Sequence, residues 1–247
     1  MMSCEQARGA DTPSPCPHAR SREGCVDCKV RLLSICAALD AGELCELESL
    51  SHPACFEPRT TLFLQDEPAE IVYNVTDGVV RLYRLLPDGR RQIVGFALPG
   101  DFLGLSMADR FGFSADAVTR VTTCRFPREV FSAFVDTKPH LLRRLHEFAS
   151  HELSLAQDQM VLLGRRTAEE KVASFLMSLR DRWARVTGAS VTVPLPMGRQ
   201  DIADFLGLTI ETVSRTLTRL ARERALLIVP DGVRLLDLPR LERLAVA

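Results

Sequence analysis

Gly198-Arg-Gln-Asp-Ile-Ala-Asp-Phe-Leu-Gly-Leu-Thr-Ile-Glu-Thr-Val-Ser-Arg215 is the stretch whose reading decides the fold. Within residues 199–223 the apolar positions read helix, turn, helix. Ile202, Ala203 and Leu206 face a core, and Gly207-Leu208-Thr209 makes the turn. Glycine there tolerates the positive φ that a tight helix–helix corner needs. In the second helix Val213, Leu217 and Leu220 point inward. That leaves Glu211, Thr212, Ser214, Arg215, Thr218 and Arg219 outside. A carboxylate can accept from cytosine N4, a guanidinium can pair twice with guanine, and hydroxyls serve either way. Arg222 and Arg224 are placed for phosphates.

The flanking sequence favours this reading over an ordinary amphipathic helix with a solvated charged face. Leu227 to Leu236 reads as a hairpin around Pro230-Asp231-Gly232, which makes the unit a winged helix-turn-helix. Thr167-Ala-Glu-Glu170 is a capping-box pattern opening a helix over 167–186, and Val191 to Leu195 reads as a short strand. Residues 165–247 carry 14 Lys+Arg against 10 Asp+Glu, although the whole chain is at −1. A weakly basic third of this kind permits nucleic-acid binding.

Before Gly164 comes a long helix, 139–164. Its apolar residues Leu142, Leu145, Ala149, Leu153, Ala156, Met160 and Leu163 recur about every 3.5 residues. That period suits both the seam of a two-stranded coil and a helix lying on its own core. Residues 56–127 have a different texture. β-rich segments (Thr60–Leu64, Ile71–Val75, Val79–Leu85, Gln92–Leu98 and Ala117–Phe126) are divided by Thr76-Asp77-Gly78, Pro87-Asp88-Gly89 and Pro99-Gly100-Asp101. Such spacing predicts an antiparallel barrel or jelly roll. A short helix is predicted over 37–50, and residues 1–24, with three prolines, read as a mobile tail.

The chain of 247 residues is 46% apolar and 26% charged, which suits a two-domain globular protein. No apolar run approaches a membrane span, and the N-terminus has no secretory pattern, so the expected compartment is the cytoplasm. Seven of the eight cysteines (4, 16, 25, 28, 36, 45 and 55) precede residue 56; the eighth is Cys124. A secreted disulfide scaffold would be shorter and would spread its cysteines through the fold. Free thiols in a reducing compartment, some of them binding metal, are the better reading. Cys25-Val-Asp-Cys28 followed by Cys36 could serve zinc or an iron–sulfur cluster. An enzyme is not expected. His18, His52, His140, His146 and His151 form no triad or ligand spacing, and no phosphate-binding loop or nucleophile elbow is present.

The 198–215 run resembles the recognition motif of the CRP/FNR transcription regulators. Gly78-Val-Val-Arg-Leu-Tyr83 and Gly95-Phe-Ala-Leu-Pro-Gly-Asp-Phe-Leu-Gly104 resemble that family's sensory β-roll, and 139–164 resembles its dimerisation helix. The resemblance, over about residues 25 to 240, implies an α+β protein. Its parts are a tail (1–24), a cyclic-nucleotide-binding-like β-roll or jelly roll bearing the cysteines (25–138), a dimerisation helix (139–164) and a winged helix-turn-helix (165–247). It implies a homodimer on palindromic promoter DNA, working with RNA polymerase. The FNR branch reads half-sites resembling TTGAT through Glu-x-x-Ser-Arg, here Glu211, Ser214 and Arg215.

That branch holds an oxygen-labile [4Fe-4S] cluster on three N-terminal cysteines and one strand cysteine, which match Cys25, Cys28, Cys36 and Cys124. The gap before Cys36 is seven residues, as in some members, where the best-known member has five. Cys16 is a weak substitute, and Cys4, Cys45 and Cys55 are expected to be bystanders. The function implied is an oxygen-responsive, anaerobic activator; zinc, nitric oxide or thiol oxidation are alternative cues on the same fold. The CRP branch binds a cyclic nucleotide through a Gly-Glu and an Arg-Ser pair. Leu105 and Phe113 stand where the Glu and Arg would be, so no cyclic nucleotide is expected; Arg110 is the nearby candidate substitute.

Overall fold

A computed structural model describes residues 25–105 and 108–246. The expected tail, with Cys4, Cys16 and His18, lies outside the described residues.

Short 3-10 turns carry Cys25 to Ala38 into helix α1 (Ala41–Leu50). The sequence reading started this helix at residue 37. It starts at Ala41 because Asp40 and Glu43 form a capping box. The β-roll follows as two four-stranded antiparallel sheets. One has the order β1 (His52–Phe56), β8 (Val121–Pro127), β3 (Ile71–Asp77), β6 (Phe102–Leu103). The other runs β2 (Thr61–Phe63), β7 (Ser114–Ala117), β4 (Val80–Leu85), β5 (Arg91–Ala97). Side chains alternate between faces along each strand. Phe63, Val75, Val80, Ala97, Ala115 and Val121 fill the space between the sheets.

The expected strand 117–126 is two strands, β7 and β8, one in each sheet. The chain turns at Thr119 and Arg120, against Gly78. A Cβ at Gly78 would sit 2.1 Å from the Arg120 carbonyl oxygen, and its φ is +83°. Cys124 is not at a strand end, as the sequence suggested. It lies inside β8, paired with Pro53 on one side and Asn74 on the other.

Helix α2 (Arg128–Asp136) covers the outer face of β8 and leads into α3 (Pro139–Arg165). The long helix is buried at Leu141 and Leu162, while the expected seam is largely open. Leu142 is 55% exposed, Leu153 60% and Met160 65%. Ala149 and Ala156 are exposed, and Leu145 and Leu163 half-buried.

Helix α4 (Ala168–Thr187) starts at the expected capping box, with Thr167 and Glu170 each bonding the other's backbone. Then come β9 (Thr192–Pro194), α5 (Arg199–Leu206), α6 (Ile210–Arg222), β10 (Leu226–Val229), β11 (Gly232–Leu235) and α7 (Leu238–Val246). Gly207 is left-handed at φ +61°, as the corner between α5 and α6 requires. β9 joins the hairpin in a sheet of order β10-β11-β9. Val193, Ile202, Leu206, Val213, Leu217, Leu220 and Leu241 make the core of this unit. The protein is α+β: a β-roll, a long helix and a winged helix-turn-helix.

Gly78→Ala should destabilise the β-roll by about 1–3 kcal/mol or more, from positive φ and the clash with Arg120. Urea unfolding compared with Gly89→Ala checks this, because Gly89 has φ +83° too but open space around it.

Candidate nucleic-acid interface and metal centre

Two segments on one face of the β-roll bring the cysteines together. Cys25 and Cys36 lie in the 3-10 turns before α1, Cys28 in the link between the first two of these turns, and Cys124 is on β8 beneath them. Cys36 is buried; Cys25, Cys28 and Cys124 are half-buried. The Cys25 amide donates to the Glu48 carboxylate of α1 at 2.8 Å. The Cys36 amide donates to the Ser34 hydroxyl at 3.2 Å.

Burial pushes the Cys124 thiol up to about 12, and Cys25, Cys28, Cys36 and Glu48 push the same way. Cys25 is also pushed up to about 12, by burial first and then by Cys36, Glu48, Cys28 and Cys45. Burial raises Cys36, against the lowering effect of the Ser34 hydroxyl. Cys25, Cys28 and Cys36 are thus near enough to Cys124 for their charges to act on its thiol. No three His, Cys, Asp or Glu side chains among the described residues are grouped to hold a single metal ion. Cys45, expected to be a bystander, is exposed on α1 on the rim of the group. Cys55 is on β1, its sulfur 3.7 Å from the Thr122 hydroxyl; it is disulfide-bonded, and so not the free bystander thiol the sequence suggests.

Sequence reasoning missed Glu48. Asp40-Ala-Gly-Glu43 is a capping-box pattern like Thr167-Ala-Glu-Glu170. Starting α1 there fixes which helix residues face the thiols.

Behind the thiols, Ile35, Cys36, Leu39, Leu44 and Leu47 pack with Phe126, Phe131 and Phe134, and with Leu141, Leu145 and Phe148 of α3. The cysteine segment therefore touches the long helix directly. It also rests on the turn after β5: a Cβ on Gly100 would come within 2.8 Å of the Leu33 Cβ.

The expected reading residues lie on the exposed side of α6. Glu211, Ser214, Arg215, Thr218, Arg219 and Arg222 are exposed, whereas Val213, Leu217 and Leu220 are fully buried. Thr212 is half-buried, and its amide donates to the N-cap hydroxyl of Thr209 at 3.2 Å. The Glu211 carboxyl is held below its usual range by its own backbone amide, then by the Thr209 hydroxyl and the charge of Arg215. It is a ready acceptor at neutral pH. Arg219 pairs with Glu169 of α4.

In the β-roll, Phe113 packs 5.9 Å from Phe63, Leu105 is half-buried, and Arg110 donates to the Asp66 carbonyl. No helix among the described residues is long and apolar enough to cross a membrane.

A β-roll joined through a long helix to a winged helix-turn-helix defines a DNA-binding transcription regulator. Residues 54–138 match the cyclic nucleotide-binding domain family, and residues 170–244 the Crp-like helix-turn-helix domain family. The chain is 58% identical to the transcriptional activatory protein AadR of Rhodopseudomonas palustris over 220 residues, 89% of this chain and 92% of that one. It is 56% identical to the nitrogen fixation regulation protein FixK of Bradyrhizobium diazoefficiens, over 90% of this chain and 94% of that protein. The structure of FixK2 from Bradyrhizobium japonicum matches with a TM-score of 0.74 at 37% identity, over 80% of this chain and 98% of that one. The chain belongs to the CRP/FNR family of transcription regulators.

The raised thiols make a pH prediction for the metal-free chain. Their folded pKa of about 12 exceeds the ordinary 9.0. Between those values the unfolded chain sheds protons that the folded chain keeps, so stability falls as pH rises. Urea unfolding should give a lower midpoint at about pH 10 than at about pH 8. At neutral pH, mass spectrometry should find the exposed Cys45 alkylated before Cys25 and Cys124.

Proposed function

We propose that this regulator is an oxygen-responsive activator. It binds palindromic promoter DNA as a homodimer and works with RNA polymerase while Cys25, Cys28, Cys36 and Cys124 hold a [4Fe-4S] cluster. The observation that carries the proposal is the meeting of three N-terminal thiols with the strand thiol Cys124, in contact with the long helix. The donor set fits the group. Thiolates are the ligands of iron–sulfur clusters, and four of them around a cube stand farther apart than the ligands of one zinc ion. When bound, the cluster supplies a group that oxygen destroys.

The chain's own residues do the rest. Metal binding takes protons from thiols, three of which (Cys25, Cys36 and Cys124) burial otherwise keeps protonated, so holding ligand and holding this packing are linked. With the thiols tethered, the segment from Cys25 to Leu39 stays on β8 and supports Leu141, Leu145 and Phe148 of α3. Untethered, it loses Cys124 as an anchor, and the support under α3 loosens. Leu145 belongs to both sides: it packs on the cysteine segment and is part of the seam. Leu142, Leu145, Ala149, Ala156 and Leu163 also line an open cleft of about 1800 Å³ beside α3. A second copy's α3 would cover these residues together with Leu153 and Met160. Small residues and partly exposed seams make a marginal interface, so a few kcal/mol of altered packing is enough to shift the monomer–dimer balance.

On DNA, the N-terminal part of α6 enters the major groove. Arg215 pairs with guanine, Glu211 accepts from cytosine, and Ser214 and Thr212 add contacts. Arg219 and Arg222 lie toward the backbone phosphates. Leu105 and Phe113 leave the β-roll without the carboxylate and guanidinium that would hold a cyclic phosphate.

Anaerobic purification should give a brown protein with four irons and four sulfides per chain, dimeric and tightly bound to a TTGAT palindrome. Air should bleach it and reverse both properties. Cys124→Ser should lose the iron, whereas Cys45→Ser should keep it. Full iron in Cys124→Ser overturns the ligand set, and unchanged mass and DNA affinity after bleaching overturn the switch. Separately, Arg215→Ala should cost about 1–3 kcal/mol per half-site and relax preference at the guanine. Arg222→Ala should weaken all sites alike in the same anisotropy titrations.

A further inference from the structure

Two arginines of the β-roll reach across to the first helix of the helix-turn-helix. Arg81 of β4 holds Asp116 of β7 at 2.8 Å and Asp201 of α5 at 3.2 Å. Arg91 of β5 holds Asp201 at 2.6 Å and Asp204 at 2.7 Å. Both guanidinium groups lie over the Tyr83 ring, 5.9 and 5.8 Å from its centroid. The Gln92 amide donates to the Asp204 carbonyl at 2.7 Å. Next to this network Phe96 of β5, Phe175 of α4 and Phe205 of α5 form a triangle, with centroid separations of 6.3, 5.6 and 5.6 Å.

The network is a poor device for stability alone. Asp201 is 8% exposed, and the desolvation of charges in such a place offsets most of the attraction between them. What directional, hydrogen-bonded charge pairs supply is geometry. α5 is joined to α6 through Gly207, and the two helices pack on one core. Whatever fixes α5 on the β-roll therefore fixes the direction of α6. The reading residues stay exposed with every one of these bonds made, so the network aims the recognition helix and does not cover it. A palindrome demands that two such helices fall one helical turn apart, so an error in angle is doubled across the dimer.

We propose that Arg81 and Arg91 with Asp201 and Asp204 form an interdomain latch that sets the orientation of the helix-turn-helix, and that tight binding to the palindrome depends on it. These are positioning residues; none needs to touch DNA. The proposal rests on α5 and α6 being the DNA-binding unit and is independent of what the cysteines hold.

The sign of one substitution separates the latch from simple electrostatics. Asp204→Asn removes a negative charge from a domain that binds phosphates, so charge alone gives tighter DNA binding. The latch requires the opposite. In anaerobically prepared full-length protein at fixed salt, Asp204→Asn and Arg91→Gln should each weaken binding to the palindrome about fivefold or more. The double variant should be no weaker than either single one; circular dichroism and sedimentation of each variant at the assay temperature should show a folded protein of unchanged dimer mass. Arg91→Lys keeps the charge but cannot span two carboxylates, so it should also weaken binding. Unchanged or tighter binding by Asp204→Asn, or additive losses in the double variant, overturns the latch. If instead the unaltered protein binds no palindrome, the reading of α5 and α6 is what fails.

Discussion

The outer face of β4 and β5 has to be covered, and the rest of the architecture follows from that. Val80, Leu82 and Ala97 turn into the β-roll, while Tyr83, Ile93 and Phe96 turn outward and are equally buried, or nearly so. Burying side chains of that size contributes about 1.5–3 kcal/mol each. The cover is the DNA-binding unit: Phe175 and Leu176 of α4 and Phe205 of α5. One pair of strands is thus a wall of two cores. The helix-turn-helix is seated on the sensor, not hung from the end of the long helix.

The elements found by sequence reasoning are those whose signals are local. Capping residues stand within a turn of the helices they start, and Gly207 is beside the helices it joins. β1 and β6 were not anticipated: one carries Pro53 and the other is two residues long. α2 starts after Pro127 with no side-chain cap, so nothing announces it; α7 was not anticipated either. The corner between β7 and β8 contains neither glycine nor proline. The glycine that allows it, Gly78, is some forty residues away in sequence, and the corner shows only once the two segments are packed. The ion pairs of Arg81 and Arg91 with Asp201 and Asp204 span more than a hundred residues. Periodicity and spacing cannot register such a pairing.

The candidate sites divide in the same way. The reading face of α6 follows from helical period alone, since its buried residues fix what is left outside. The cysteines do not. Cys25, Cys28 and Cys36 are a visible group, but Cys124 joins them only because β8 runs beneath that segment. Cys124 is singled out by resemblance alone, since strand pairing is not legible in the spacing of the cysteines. Cys124 and Phe126 lie on the outer face of β8, while Val121 and Thr123 point into the roll.

The turn Pro99-Gly100-Asp101 has two neighbours that belong to different halves of the protein. Leu33 lies so close to Gly100 that no other residue fits there. Asp101 holds Arg182 of α4 at 2.5 Å. The cysteine segment and the first helix of the DNA-binding half thus bear on adjacent residues of one three-residue turn, so the two halves share a single short stretch of backbone as a common footing.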